Sequence, residues 1–391
     1  MSISSLRILF ISHDAGRTGA PIGLLAFQGW LRSNTNHTFG TILRKPGVIE
    51  PAFRELGPTL TLGTSRLLRS RLGRRLHRLL PDDVREERKV IRRMGAAGRY
   101  DVVVSNTMTN GAVLETLAPL QIPVVTHVHE LDYWISRAGE VNLRQVLAHS
   151  SAYIAVAQAV RDNLVQNHGI AAKKVALVYE HIRELPKPTT PEEKRTARQK
   201  LGIPDGAFVV GGCGAEHWRK GRDLIPQVLI ELRRRESSRP CHFVWIGRPG
   251  TVEEEYALKH GLRAAGVENR FHTSGEVANP FALFPAIDVF ALLSRDDPYP
   301  LACLEVAATE TPVVCFEEAG GMPEFVRDGC GFVAPYLDTA TMANDILKLA
   351  AQPELARDMG RRARAKVANE NLPERTGPKL LEIIERAAAT R

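Results

Sequence analysis

Apolar residues along this chain gather into short unbroken runs. "LRILFISHD", "YDVVVSNT", "IPVVTHVH" and "AYIAVAQ" come first, and "FVVGGCG", "HFVWIG", "AIDVFALLS" and "TPVVCF" follow. Runs this short, rich in Val, Ile and Phe and closed by polar residues, predict strands buried on both faces. Segments of helical pattern separate them. That alternation predicts βαβ units and doubly wound parallel sheets, an α/β fold. Between the two sets of runs lies "IRELPKPTTPEEKRTARQKLGIPDGA", rich in Pro and charge, with a short helix expected from about Pro191. The expected organisation is a Rossmann-like N-terminal domain at 1–183, a linker at 184–204 and a Rossmann-like C-terminal domain at 205–370. The last stretch, 371–391, reads as an amphipathic helix expected to pack back on the N-terminal half. In open parallel sheets ligands bind beyond the carboxyl ends of the strands, so a site in a cleft between two facing halves is expected.

Length supports this division, since 391 residues make two or three domains. Composition is ordinary for globular domains, with 44% hydrophobic and 25% charged residues. No apolar run reaches the roughly 18–20 residues needed to cross a bilayer. The opening "MSISS" does not resemble a signal peptide, so a cytoplasmic location is expected. Five cysteines (Cys213, Cys241, Cys303, Cys315, Cys330) form no CxxC pair and read as small buried thiols.

Net charge is +8, which favours anionic partners. Much of the excess sits in "SRLLRSRLGRRLHRLL", which opens at Ser65 and closes at Leu80, with six arginines and no acid. Its leucines recur at helical spacing, so it reads as a basic amphipathic helix. It either docks on its own domain or rests on anionic headgroups as a peripheral membrane contact. No basic stripe interleaved with aromatics appears, so nucleic acid is not expected as a partner.

The polar residues that end the runs are the candidate chemistry. In "SHDAGRTGAP", Gly16, Thr18 and Gly19 open a helix and form a loop able to face phosphate or an acceptor. "THVHELD" ends a strand in His127 and His129, which share one face at i, i+2. A metal site there would need Glu130 and Asp132 as well. Other readings are a structural pair or an imidazole bonded to a substrate hydroxyl, His129 being the favoured one. "GGCGAEHWRKGRDL" follows a strand with glycines, then Arg219 and Lys220, cations suited to a diphosphate, then a helix whose first turn holds Asp223. Ser274 to Asn279 forms a polar turn. In "SRDDPYPLACLEVAATETPVV", Asp297 and Glu305 stand eight apart across a loop and a helix start, suited to accept hydrogen bonds from vicinal hydroxyls. "EEAGGMPEFVRDGCGFV" holds a Gly-Gly turn, Gly320 and Gly321, then Met322, with Pro323 and Glu324 opening a short helix, and the backbone amides of this stretch make an anion nest.

These motifs resemble the family-4 retaining glycosyltransferases, which have the GT-B fold of two Rossmann-like domains. "DPYPLACLEV" is similar to the family's E-x7-E element, with Asp297 for the first Glu and Pro300 for a Gly. "GGMPEFVRDGCGFV", "WRKG", "AIDVFALLS" and "THVHE" resemble further family elements, as does "AYIAVAQAVRDNL" with Ala157 for Ser. Gly214-Ala215 stands where many relatives have an Arg, and "VYEHI" where the family has Asn-Gly. The resemblance implies that Glu305 holds the nucleotide ribose and Asp297 the donor-sugar hydroxyls. It further implies that Arg219 and Lys220 neutralise the diphosphate, with amides from Gly320 to Pro323 in support, and that His129 touches the donor sugar. The expected function is transfer of a hexosyl or deoxyhexosyl group from a nucleotide-diphosphate sugar such as a UDP- or GDP-sugar. The acceptor would be a glycan or lipid-linked molecule of a bacterial surface polysaccharide or glycolipid pathway, with no metal required. The alternatives are a nucleotide-sugar epimerase and a non-catalytic nucleotide- or nucleic-acid-binding protein.

Overall fold

The structure, a computed structural model, describes residues 5–62, 91–93, 100–215, 217–236 and 239–390. The basic stretch 65–80 lies outside them. The chain forms two compact units. One comprises Met1–Arg183 and Pro373–Arg391, the other Glu184–Leu372.

The first unit holds seven parallel strands: β1 (Arg7–Ser12), β2 (Thr38–Leu43), β3 (Thr59–Thr61), β4 (Val102–Ser105), β5 (Val124–Val128), β6 (Ala152–Ala155) and β7 (Val175–Leu177). Their order is β3-β2-β1-β4-β5-β6-β7. The central strands are buried at every position of β4 and β5, as continuous apolar runs require when helices cover both faces. Phe10 of β1 meets Phe27 and Phe39 edge-on, with centroids 6.0 and 5.7 Å apart. The helix Pro373–Ala388 adds Leu380, Ile384 and Ala387 to the same core. At about 1.5–3 kcal/mol for each fully buried Leu or Ile, this helix is an integral part of the unit.

The second unit holds six parallel strands: β8 (Phe208–Cys213), β9 (Cys241–Ile246), β10 (Phe271–Thr273), β11 (Val289–Leu292), β12 (Val313–Phe316) and β13 (Gly331–Ala334). Their order is β10-β9-β8-β11-β12-β13. In both units the first strand lies centrally, with the second on one side and the fourth on the other. That arrangement creates a topological switch point, between β1 and β4 and again between β8 and β11.

The stretch read as a linker differs from the expectation. Its helix, Pro191–Lys200, opens with a capping box between Thr190 and Glu193 and belongs to the second unit. The Asp288 carboxylate accepts from Lys194 Nζ and Arg198 Nη2, each at 2.6 Å, and from Val209 N–H at 2.8 Å. Two of the charges that suggested a linker, Lys194 and Arg198, anchor a docked helix.

Candidate functional site

In the second unit three loops converge beyond the carboxyl ends of β8, β11 and β12. After β8 comes a 3-10 turn, Trp218–Lys220. Gly221 closes it at φ +67°, where a Cβ would lie 1.9 Å from the Leu293 carbonyl. After β11, Asp297 bridges to Gly320, whose φ is +130° and whose added Cβ would lie 1.8 Å from the Asp297 carbonyl. Only glycine permits either approach. Asp297 N–H donates to Ala319 O at 2.7 Å, and Gly321 N–H to Pro298 O at 2.8 Å.

These approaches bring Lys220 Nζ to 2.6 Å from Asp297 Oδ2, which also accepts from Ser294 Oγ at 3.0 Å. The Asp297 carboxylate thus faces a cation of its own unit, a partner that the reading of it as a sugar ligand did not include. Arg219 also has a local partner. Its Nη1 donates to the Asp296 carbonyl at 2.5 Å and lies 3.7 Å from Asp296 Oδ1. Asp223 occupies a separate 3-10 turn, Arg222–Leu224, ahead of the helix Ile225–Arg235, and pairs bidentately with Arg295 at 2.8 Å.

Glu305 lies on the helix Leu301–Ala307, half-buried. Burial alone raises its carboxyl to about 7, and no partner for it occurs among the described residues. The neighbouring Cys213 thiol, at the end of β8, is pushed up to about 12, first by burial and then by the Glu305 carboxylate, while Lys220 opposes the rise. Lys220, Asp297 and Glu305 therefore share one locale at the switch point. Gly321, Met322 and Pro323 follow Gly320 into the short helix Met322–Val326.

The first unit has its own cluster beyond β1, β4, β5 and β7. His129 Nδ1 lies 2.7 Å from Glu180 Oε2, and its Nε2 lies 3.1 Å from Asn106 Oδ1. Burial pushes this imidazole down to about 3. The His127 and His129 rings meet at a tilt of 52°, with centroids 4.2 Å apart, and burial likewise holds His127 well below its usual range. Glu130 accepts from Met108 N–H at 3.2 Å and His129 N–H at 3.0 Å, and also from the Thr107 hydroxyl. These bonds brace the loop. Among the described residues no group of three or more His, Cys, Asp or Glu could hold a metal ion. Thr18 precedes the helix Gly19–Asn34 without a side-chain cap, and Gly16 N–H donates to Asp14 Oδ1 at 2.9 Å, which leaves this loop exposed.

Two family models match the chain. Residues 193–366 match "Glycosyl transferases group 1", and residues 49–182 match "Glycosyltransferase Family 4". Between them they span most of both units. Each unit thus matches a glycosyltransferase family model, and the architecture is the GT-B fold. Among curated relatives, the D-inositol 3-phosphate glycosyltransferase of Corynebacterium aurimucosum is 28% identical over 247 residues, 59% of this chain and 58% of its own length. That of Nocardia farcinica is 25% identical over 288 residues, 69% of this chain and 63% of its own length. The chain thus spans less than two thirds of the length of these relatives. Among solved structures, Anabaena Alr3699/HepE in complex with UDP and glucose superposes with TM-score 0.79 at 22% identity, covering 96% of this chain and 98% of that one. Sucrose-phosphate synthase from Thermosynechococcus elongatus superposes with TM-score 0.76 at 17% identity, covering 99% and 100%. These likenesses establish the fold.

Reading the chain from its sequence missed Ser294, Asn106 and Glu180. Ser294 and Asn106 each stand one or two positions beyond a strand, where side chains enter a site. Glu180 was visible only as the acid in "VYEHI". Nothing in the sequence linked it to His129, 51 positions earlier.

Proposed function

We propose that this chain is a retaining glycosyltransferase. It moves a hexosyl or deoxyhexosyl group from a nucleoside diphosphate sugar to a glycan or lipid-linked acceptor, in the synthesis of a surface polysaccharide or glycolipid. The observation that carries this reading is the meeting of Lys220, Asp297 and Glu305 at the β8/β11 switch point of the unit that matches the group 1 model. Glu305 is a carboxylate short of donors, and vicinal ribose hydroxyls supply them. Lys220, held by Asp297, whose carboxylate also accepts from Ser294, offers an ammonium to the diphosphate, and Arg219 stands beside it on the same turn. The N–H groups of Gly320 and Met322 add dipoles. Charge that builds on the leaving diphosphate is stabilised by groups already oriented, the electrostatic route to catalysis, with these cations serving in place of a metal. The Anabaena neighbour solved with UDP and glucose favours a uridine donor. A cytoplasmic location at a membrane surface, through residues 65–80, belongs to the same proposal.

A thermal-shift panel of UDP-, GDP-, ADP- and dTDP-sugars tests the reading, followed by assay of nucleotide release with the stabilising donor. One donor class should raise the melting temperature, and Lys220→Ala should cut transfer at least about tenfold, roughly 1.4 kcal/mol of barrier. No shift with any nucleotide sugar, or undiminished transfer by a folded Lys220→Ala protein, overturns it.

A further inference from the structure

Most cations around the switch point of the second unit already face an acid. Lys220 Nζ lies 2.6 Å from Asp297 Oδ2, and Arg219 Nη1 lies 3.7 Å from Asp296 Oδ1. Arg295 pairs with Asp223 at 2.8 Å, and Arg222 is buried against Glu255. Each of these four cations, in the loops beyond β8 and β11, thus has a carboxylate at hand. A diphosphate carries more than one negative charge and only accepts hydrogen bonds. A cation already held by a carboxylate attracts it less than an unpaired one does.

A fifth cation stands differently. Arg248 follows β9, is exposed, and has no partner among the described residues. Its backbone is held on both sides. Gly214 N–H donates to Ile246 O at 3.0 Å, and Trp245 Nε1–H donates to Gly214 O at 3.2 Å. Gly247 lies against that same carbonyl, since its φ is +147° and a Cβ there would stand 2.1 Å from Gly214 O. Beyond Arg248, Gly250 N–H donates to Glu255 Oε1 at 2.9 Å and Thr251 N–H to Glu254 Oε2 at 2.7 Å. Those two carboxylates therefore serve the loop and Arg222, and not Arg248.

Gly214 joins this loop to the site. A Cβ on Gly214 would lie 3.4 Å from Lys220 Cε, so the lysine stem runs beside it. Gly247 touches the same residue, and the Cα of Arg248 is about 3.8 Å from that of Gly247. Lys220 and Arg248 thus border one floor of bare backbone, made by Gly214 and Gly247, from which no side chain rises. We propose that Arg248 is a further binding residue for the donor diphosphate, its unpaired guanidinium taking phosphate oxygens from the β9 side of this floor while Lys220 takes them from the β8 side. A guanidinium presents parallel N–H donors that match two phosphate oxygens, which an ammonium does not. That the phosphates belong to a sugar nucleotide rests on the function proposed above. The anion seat itself does not.

The experiment is titration calorimetry of the full chain with inorganic pyrophosphate, in the absence of divalent cations. Arg248→Gln keeps a polar side chain and removes the charge. Because Arg248 has no partner to lose, parent and variant should melt together. Arg248→Gln should bind pyrophosphate at least fivefold more weakly than the parent. Lys200→Ala removes one charge from an exposed lysine at the end of the helix Pro191–Lys200, and should bind within twofold of the parent. A loss short of fivefold in Arg248→Gln, an equal loss in Lys200→Ala, or a parent that binds no pyrophosphate overturns the proposal. Pyrophosphate binding that depends on Arg248, without transfer from any sugar nucleotide, supports the seat and counts against the transferase reading alone. Transfer that Lys220→Ala abolishes, with pyrophosphate binding indifferent to Arg248, overturns the assignment of Arg248 alone.

Discussion

Replacing Glu305 by Gln gives the protein permanently what burial already favours, an uncharged side chain in that seat. The Glu305 carboxyl is raised from 4.5 to about 7, with burial as its cause. The folded state therefore binds the proton more tightly than the unfolded state does. The stabilisation is fully present below about pH 4.5 and is lost as pH rises through about 7. A difference of about 2.5 pH units, at 1.36 kcal/mol each, amounts to about 3 kcal/mol by pH 8. At roughly 2–4 °C per kcal/mol for a unit of this size, Glu305→Gln should melt about 6–12 °C above the parent at pH 8. The two should converge near pH 4.5. Differential scanning calorimetry of both proteins across that range measures the gap. Melting curves that run parallel in pH, or a variant less stable throughout, would refute the claim that an uncompensated carboxylate is buried there. A ribose that donates to this carboxylate would draw its pKa back down. Nucleotide binding at pH 7 should then release part of a proton, read by titration calorimetry in buffers of different ionisation enthalpy.

Gly320→Ala should destabilise the second unit by at least about 2 kcal/mol in urea, because the site combines a backbone at φ +130° with a Cβ 1.8 Å from the Asp297 carbonyl. An unchanged midpoint would mean that the loops after β11 and β12 are not held together as described. Leu380→Ala should cost the first unit about 2–5 kcal/mol, since Leu380 is 2% exposed within that unit's core. A loss confined to local fraying of the last helix, seen by hydrogen exchange with the sheet unaffected, would count against its place in the core.

The central strands were legible because burial on both faces leaves continuous apolar runs, as in "RILFIS", "VVVS" and "VVCF". The strands β2, β3, β7, β10 and β13 were not read. They are short or interrupted by Thr and Gly, as "TFGTIL" and "GFVA" show, and β3, β7, β10 and β13 lie at sheet edges, where one neighbour is missing. At the site, the residue types were legible but their pairings were not. The loop "WRKG" announced cations and "DDP" announced acids, yet the sequence could not show that Lys220 and Asp297 touch each other. Two glycines that let backbones approach decide that, and each looked locally like an ordinary turn. The same holds for Glu180 and His129, which meet only because β5 and β7 end on the same side of one sheet.

The return of Pro373–Ala388 to the first unit has a consequence for how the protein is made. A ribosome finishes residue 183 long before it reaches Leu380, Ile384 and Ala387. At about 5–20 residues per second, the 208 remaining residues take roughly 10–40 s. During that interval the nascent first unit exposes the apolar groove on the helix Gly19–Asn34 that its last helix will fill, while the second unit is completed in one continuous stretch. The unit translated first is the one whose folding must end last.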